Sequence, residues 1–215
     1  TEAHHSATHL VHAALKRVLG DHVKQKGSLV DEHKLRFDFS HDESLSDEEI
    51  CKIEGLVNQE ILKNSAVSTK IMDLEDAKNS GAESLFGEKY EDQVRVLSIG
   101  EDDFSLELCG GTHISRTGDL GIFIITSQSS VASGIRRIEA LSGPRAQEYL
   151  SNLKNQTIQL QKLLNAPAEE IEDKVSKLLK ENKSLKKGGK TAKAATIKSS
   201  NTCLLYTSDA ADDDH

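Results

Sequence analysis

Two short segments about a hundred residues apart each offer half of one metal site, so the fold must bring them together. His5-Ser-Ala-Thr-His9 sets two imidazoles at i and i+4, on one face of a helix. Cys109-Gly-Gly-Thr-His113 sets a thiolate and an imidazole on either side of a tight Gly-Gly turn. Together they supply two or three nitrogen donors and one sulfur, a set that suits zinc. Ser6 stands where a metalloprotease helix would carry its general-base glutamate, and the paired cysteines of a zinc finger are absent. Gly110, Gly111 and Thr112 are small enough for a substrate to come close, and the two glycines offer backbone N–H groups to a developing oxyanion. The competing reading is a structural zinc that pins helix to sheet, because four protein donors saturate a tetrahedral ion. His12 shares the face of His5 and His9. It is read as a satisfied helix-surface histidine, as are His4, His22, His33 and His41.

Composition narrows the class. No apolar run reaches the roughly 20 residues that span a bilayer, so no membrane partner is expected. Three cysteines make a poor disulfide framework and fit a reducing, cytoplasmic setting. Cys51 lies in an apolar helical pattern and is expected to be a buried thiol. The chain opens at Thr1 without a methionine and is expected to be a fragment. Residues 203–215 break with the preceding texture and resemble a translated sequencing adapter; they are set aside. Their four aspartates, unaccompanied by Lys or Arg, account for much of the net charge of −8.

Periodicity supplies the elements. Ala7, Leu10, Val11, Ala14, Leu15 and Val18 recur at helical spacing up to Gly20. Val23–Val30 and Lys34–Phe39 alternate around Asp31-Glu32-His33, which predicts a hairpin. Ser46-Asp-Glu-Glu49 matches a capping box, and Ile50, Ile53, Leu56, Val57, Ile61 and Leu62 continue it as a helix. Strands are predicted over 67–74, 94–99, 104–108, 122–126 and 135–141, with a loop over 80–90. This is an α+β domain, a mostly antiparallel sheet packed with helices, over residues 1–142. Residues 143–187 read as a long helical segment, with Ile171, Leu178 and Leu185 as a coiled-coil seam. Residues 188–202 read as linker or disorder.

Several blocks together resemble the editing domain of the alanyl-tRNA synthetases. They are His5-Ser-Ala-Thr-His-Leu10, His22–Val30, Leu35–His41, Leu85-Phe-Gly-Glu-Lys-Tyr90, Leu108-Cys-Gly-Gly-Thr-His113 and Gly134-Ile-Arg-Arg-Ile-Glu-Ala140. The similarity runs to about Leu185 and implies a fold of the threonyl/alanyl synthetase second additional domain type. It also implies hydrolysis of tRNA(Ala) mischarged with serine or glycine. Physics gives the reason for such a site: one methyl discriminates by only about 1–3 kcal/mol, and an apolar pocket rejects an added hydroxyl about a hundredfold. The resemblance assigns one zinc to His5, His9, Cys109 and His113, the editing-site glutamine to Gln25, and polar wall positions to Thr8 and Ser28. Arg136 and Arg137 are candidates for phosphate contacts at the tRNA acceptor end, against a plain reading as strand-surface charges. ATP would belong only to the absent aminoacylation core. The helical region would offer a surface for self-association. A free-standing trans-editing protein, the editing domain of threonyl-tRNA synthetase and a zinc-stabilised RNA-binding module remain the alternatives.

Overall fold

The computed structural model describes residues 1–84 and 91–196, the stretch 188–196 by its backbone alone. The block Leu85–Tyr90 and the segment 203–215 lie outside the described residues. The chain divides into a compact unit, Thr1–Leu153, and a second that begins at Lys154.

Helix α1 (Glu2–Leu19) leads into strands β1 (Gln25–Val30) and β2 (Leu35–Ser40), followed by α2 (Asp47–Lys63). Strand β3 (Ser68–Asp73) runs into the short α3 (Leu74–Asn79), and β4 (Gln93–Ile99) and β5 (Ser105–Leu108) follow. A long hairpin of β6 (Phe123–Ala132) and β7 (Ile135–Ser142) leads to α4 (Pro144–Leu164). The strands form two antiparallel sheets, ordered β1-β2-β7-β6 and β3-β4-β5. The expected α+β class, antiparallel sheets packed with helices, is what the chain adopts.

Local chemistry explains the elements. In the β1–β2 turn, the Asp31 carboxylate accepts from the N–H groups of His33 and Lys34 at 2.7 and 2.8 Å. The capping box at Ser46 forms as the sequence predicts: the Ser46 hydroxyl accepts from Glu49 N–H, and the Glu49 carboxylate accepts from Ser46 N–H at 2.8 Å. Alternation in β4 turns Val94 and Val96 toward α3, while Leu97 and Ile99 join the main core with Phe37 and Phe39.

Helix α1 is buried almost all round, because it packs against strands of both sheets. That overturns the surface reading of His4 and His12, which are 4% and 5% exposed. His4 locks the helix at two points: its Nδ1 lies 2.8 Å from the Asp31 carbonyl, and its Nε2 accepts from Ser142 N–H at 3.2 Å. Cys51 is exposed rather than buried, since the buried stripe of α2 runs through Ile53, Val57 and Ile61 and leaves position 51 on the other side.

The second unit contains the end of α4, a turn of 3₁₀ helix and α5 (Ile171–Thr196). Helix α5 passes through Gly188-Gly189, where the sequence predicts that helix gives way. Leu178, Leu179 and Leu185 are exposed along it. Among the described residues, no helix is long and apolar enough to cross a membrane.

Candidate metal centre

Helix α1 presents His5 and His9 one turn apart, as the i, i+4 spacing requires. Strand β5 ends at Leu108, and the chain leaves it through Cys109, Gly110 and Gly111 to reach His113. One ligand atom from each of His5, His9, Cys109 and His113 lies within 4.8 Å of the others. Cys109 Sγ is 3.5 Å from His5 Nε2 and 3.3 Å from His113 Nε2. A tetrahedral zinc with ordinary Zn–N and Zn–S bonds has ligand-to-ligand edges of about 3.3–3.6 Å, which the two Cys109–His distances match.

Two further observations favour a cation at this point. His9 Nε2 is buried and has no hydrogen-bond partner, an arrangement that costs free energy unless something binds it. Charge is also poised for one. Burial opposes ionisation of Cys109, yet its hydrogen-bonded neighbours His113 and His5, with the nearby His9 imidazole and the Gly111 backbone, hold its thiol down at about 3. Burial works to lower His9, but the neighbouring Cys109 thiolate and the bonded Glu107 carboxylate prevail and raise it to about 9. A sulfur held toward its thiolate form among imidazoles is a charge arrangement that suits a cation.

The surroundings fix each donor. Ser6 Oγ lies 3.2 Å from His113 Nδ1 and accepts from Ile114 N–H at 3.2 Å, so the residue beside His5 orients His113. Glu107 Oε2 is 2.7 Å from His9 Nδ1, and Oε1 is 3.0 Å from His12 Nδ1. Burial would raise the Glu107 carboxyl, but its bonds to His12 and His9 hold it at about 2. Arg95 on β4 donates to the Gly111 and Cys109 carbonyls and clamps the turn. Glu107, Arg95 and Ser6 escape the sequence reading. Only Glu107 left a signal: Ser105, Glu107 and Cys109 alternate on one strand face.

The remaining candidates fall as follows. Gly111 packs against His5, whose Cε1 would lie 2.3 Å from an added Cβ, whereas Gly110 faces open space. The Gly111 backbone is among the groups that hold the Cys109 thiol low. Ser28 lines a cleft of about 310 Å³ beside His5 and Thr112, and its hydroxyl accepts from the Gln25 amide at 3.3 Å. Gln25 lines a separate cleft of about 340 Å³ shared with His12 and Glu107. The Thr8 hydroxyl donates to the His4 carbonyl at 2.9 Å within the helix. Arg136 and Arg137 are consecutive on β7 and point to opposite faces, so they cannot serve one phosphate patch together. Arg137 forms a two-pronged ion pair with Asp38 at 2.7 and 2.8 Å, and Arg136 donates to Gln128.

Comparison with known proteins decides the family of the domain. Residues 94–139, which hold Glu107, Cys109 and His113, match the threonyl and alanyl tRNA synthetase second additional domain. The chain carries that second additional domain. Over 200 residues, 93% of this chain, it is 52% identical to the alanine–tRNA ligase of Saccharophagus degradans. It is 52% identical over 181 residues to that of Ruthia magnifica and 53% identical over 187 residues to that of Pseudomonas fluorescens. These alignments cover 84% and 87% of the chain. The chain spans 23%, 21% and 21% of the length of these three relatives, so the second additional domain and its helical continuation are the parts they share with it.

Proposed function

We propose that the chain is the editing portion of an alanine–tRNA ligase of the cytoplasm. In this reading it hydrolyses the ester of tRNA(Ala) mischarged with serine or glycine, at one zinc held by His5, His9, Cys109 and His113. The observation that carries it is the buried, unpartnered Nε2 of His9, turned into a four-donor cluster beside open clefts. The similarity to alanine–tRNA ligases supports the choice of tRNA.

The chain's own residues supply recognition. The Gln25 amide and the Ser28 hydroxyl, each lining one of the clefts, are joined by a hydrogen bond and would suit a substrate hydroxyl that serine has and alanine lacks. Thr8 Oγ1 keeps its lone pairs for a second contact after donating to His4. The Gly110 side of the turn, open where Gly111 is not, admits the ester. With zinc bound, the site would gain either a Lewis acid for the ester carbonyl or an anchor for the substrate's amino or hydroxyl group. Four protein donors favour the anchor. Contacts with the acceptor end would draw on local basic side chains, because the chain as a whole is acidic. The exposed leucine row of α5 supports a role in self-association.

The test is release of amino acid from charged tRNA(Ala), at high protein concentration and low salt to favour capture. The zinc-loaded chain should release serine from Ser-tRNA(Ala) faster than alanine from Ala-tRNA(Ala), and Cys109→Ala should fall to the uncatalysed rate. Equal release of both would refute the sieve. A zinc-loaded chain that binds tRNA and releases neither would be a structural zinc module, the second reading that a closed four-donor site supports.

A further inference from the structure

Glu107 meets two imidazoles of one helix with the two oxygens of one carboxylate. It is 6% exposed and stands on β5 two residues before Cys109, on the same strand face. Oε2 takes His9 Nδ1 at 2.7 Å and Oε1 takes His12 Nδ1 at 3.0 Å, and the Ser105 hydroxyl donates to Oε1 at 3.3 Å. We propose that Glu107 is the positioning residue of the metal centre: it holds His9 with Nε2 on the cluster, and His12 acts only through Glu107. The inference rests on the metal reading above and says which groups outside the donor set build the site.

The argument is geometric. An imidazole turns freely about its Cβ–Cγ bond unless its second nitrogen is held. A carboxylate on Nδ1 fixes both the ring plane and the nitrogen that keeps its proton. With the proton on His9 Nδ1, where Glu107 accepts it, Nε2 presents a lone pair toward the other three donors; like His12 Nε2, that atom is buried without a hydrogen-bond partner, but only His9 belongs to the converging cluster. A carboxylate held on one side could swing. His12, three residues along α1, takes the other oxygen and stops it. Its ring packs against Phe37, with centroids 5.3 Å apart. His12 Nε2 lies 3.7 Å from Glu83 Oε2, and among the described residues His12 is not one of the converging donors. On sequence His12 looks like a spare ligand; in the fold it braces the carboxylate that braces a ligand.

Zinc affinity, measured by competition with a chromophoric chelator, tests this without reference to activity. Glu107→Gln is isosteric but offers one carbonyl oxygen and sets an NH₂ against the second imidazole. It should weaken zinc binding about 10–100-fold and release His9 from its single Nδ1–H tautomer, read by nitrogen NMR of the zinc-loaded protein. His12→Phe keeps a ring against Phe37 and should weaken zinc binding by less. The double variant should lose no more than Glu107→Gln alone, as expected of residues acting in series. Losses that add in the double variant would make His12 an independent ligand and overturn the inference. So would wild-type affinity in Glu107→Gln. Should Glu107→Gln fail to fold, His12→Phe decides: unchanged affinity with an unchanged His9 tautomer overturns the brace. A wild-type chain that takes up no zinc would overturn the metal reading itself. Zinc held equally by wild type and Glu107→Gln overturns only this inference.

Discussion

Gly111 shows how tightly the donors are fitted. An added Cβ there would sit 2.3 Å from His5 Cε1 and 2.8 Å from Nδ1, and His5 cannot move aside without leaving the cluster. Gly111→Ala should therefore weaken zinc binding by about tenfold or more. Gly110→Ala, whose Cβ meets nothing within 4 Å, should bind zinc as the wild type does. Chelator competition on the two variants checks this; equal affinities would mean that the turn yields without cost. At this scale the four residues that converge were legible because their spacing is local, i to i+4 in each segment. The residues that hold them were not. Arg95 reaches the turn from a neighbouring strand and Ser6 reaches His113 from 107 positions away in the chain, so neither contact leaves a periodic trace. His12 misled for a related reason: a helix-face argument assumes one buried face, and α1 is covered by both sheets.

Elements with a long apolar period or a recognisable cap were readable. Helices α1 and α2, the β1–β2 hairpin and strands β4 and β5 stand close to where alternation and helical spacing put them. Strand β6 extends to Ala132, six residues beyond its apolar start, because Ser127–Ala132 is held by pairing with β7 rather than by burial. Helix α3 has six residues, too few to show a helical period. The α2 cap carries a prediction with a sign. Backbone and hydroxyl hydrogen bonds from Ser46 hold the Glu49 carboxyl below the usual glutamate range. Its contribution is thus fully present above the ordinary glutamate value and is lost as pH falls through the lower value of the folded protein. Ser46→Ala should cost about 0.5–2 kcal/mol at neutral pH. Glu49→Gln should lower the melting temperature at pH 7 and much less at pH 3, by thermal unfolding. An equal drop at both would show that the carboxylate adds nothing beyond the amide.

For the molecule as a whole, the fold serves to make one point in space from two distant segments. Helix α1, locked by His4 to the β1–β2 turn and to β7, carries two imidazoles to the end of β5. Phe37, Phe39, Leu10 and Leu15 bury the helix against the sheet and hold that meeting rigid. One cleft borders His5 and Ser28, and another borders Gln25, His12 and Glu107. If this is a zinc-dependent editor, metal occupancy and selective hydrolysis must rise together. Zinc should be titrated into the metal-free chain while serine release from Ser-tRNA(Ala) and alanine release from Ala-tRNA(Ala) are followed side by side. The account predicts serine release that climbs linearly to a break at about one zinc per chain, with alanine release at background throughout. Serine release of equal rate from the chelated chain, or alanine release that climbs in step with it, would contradict the account.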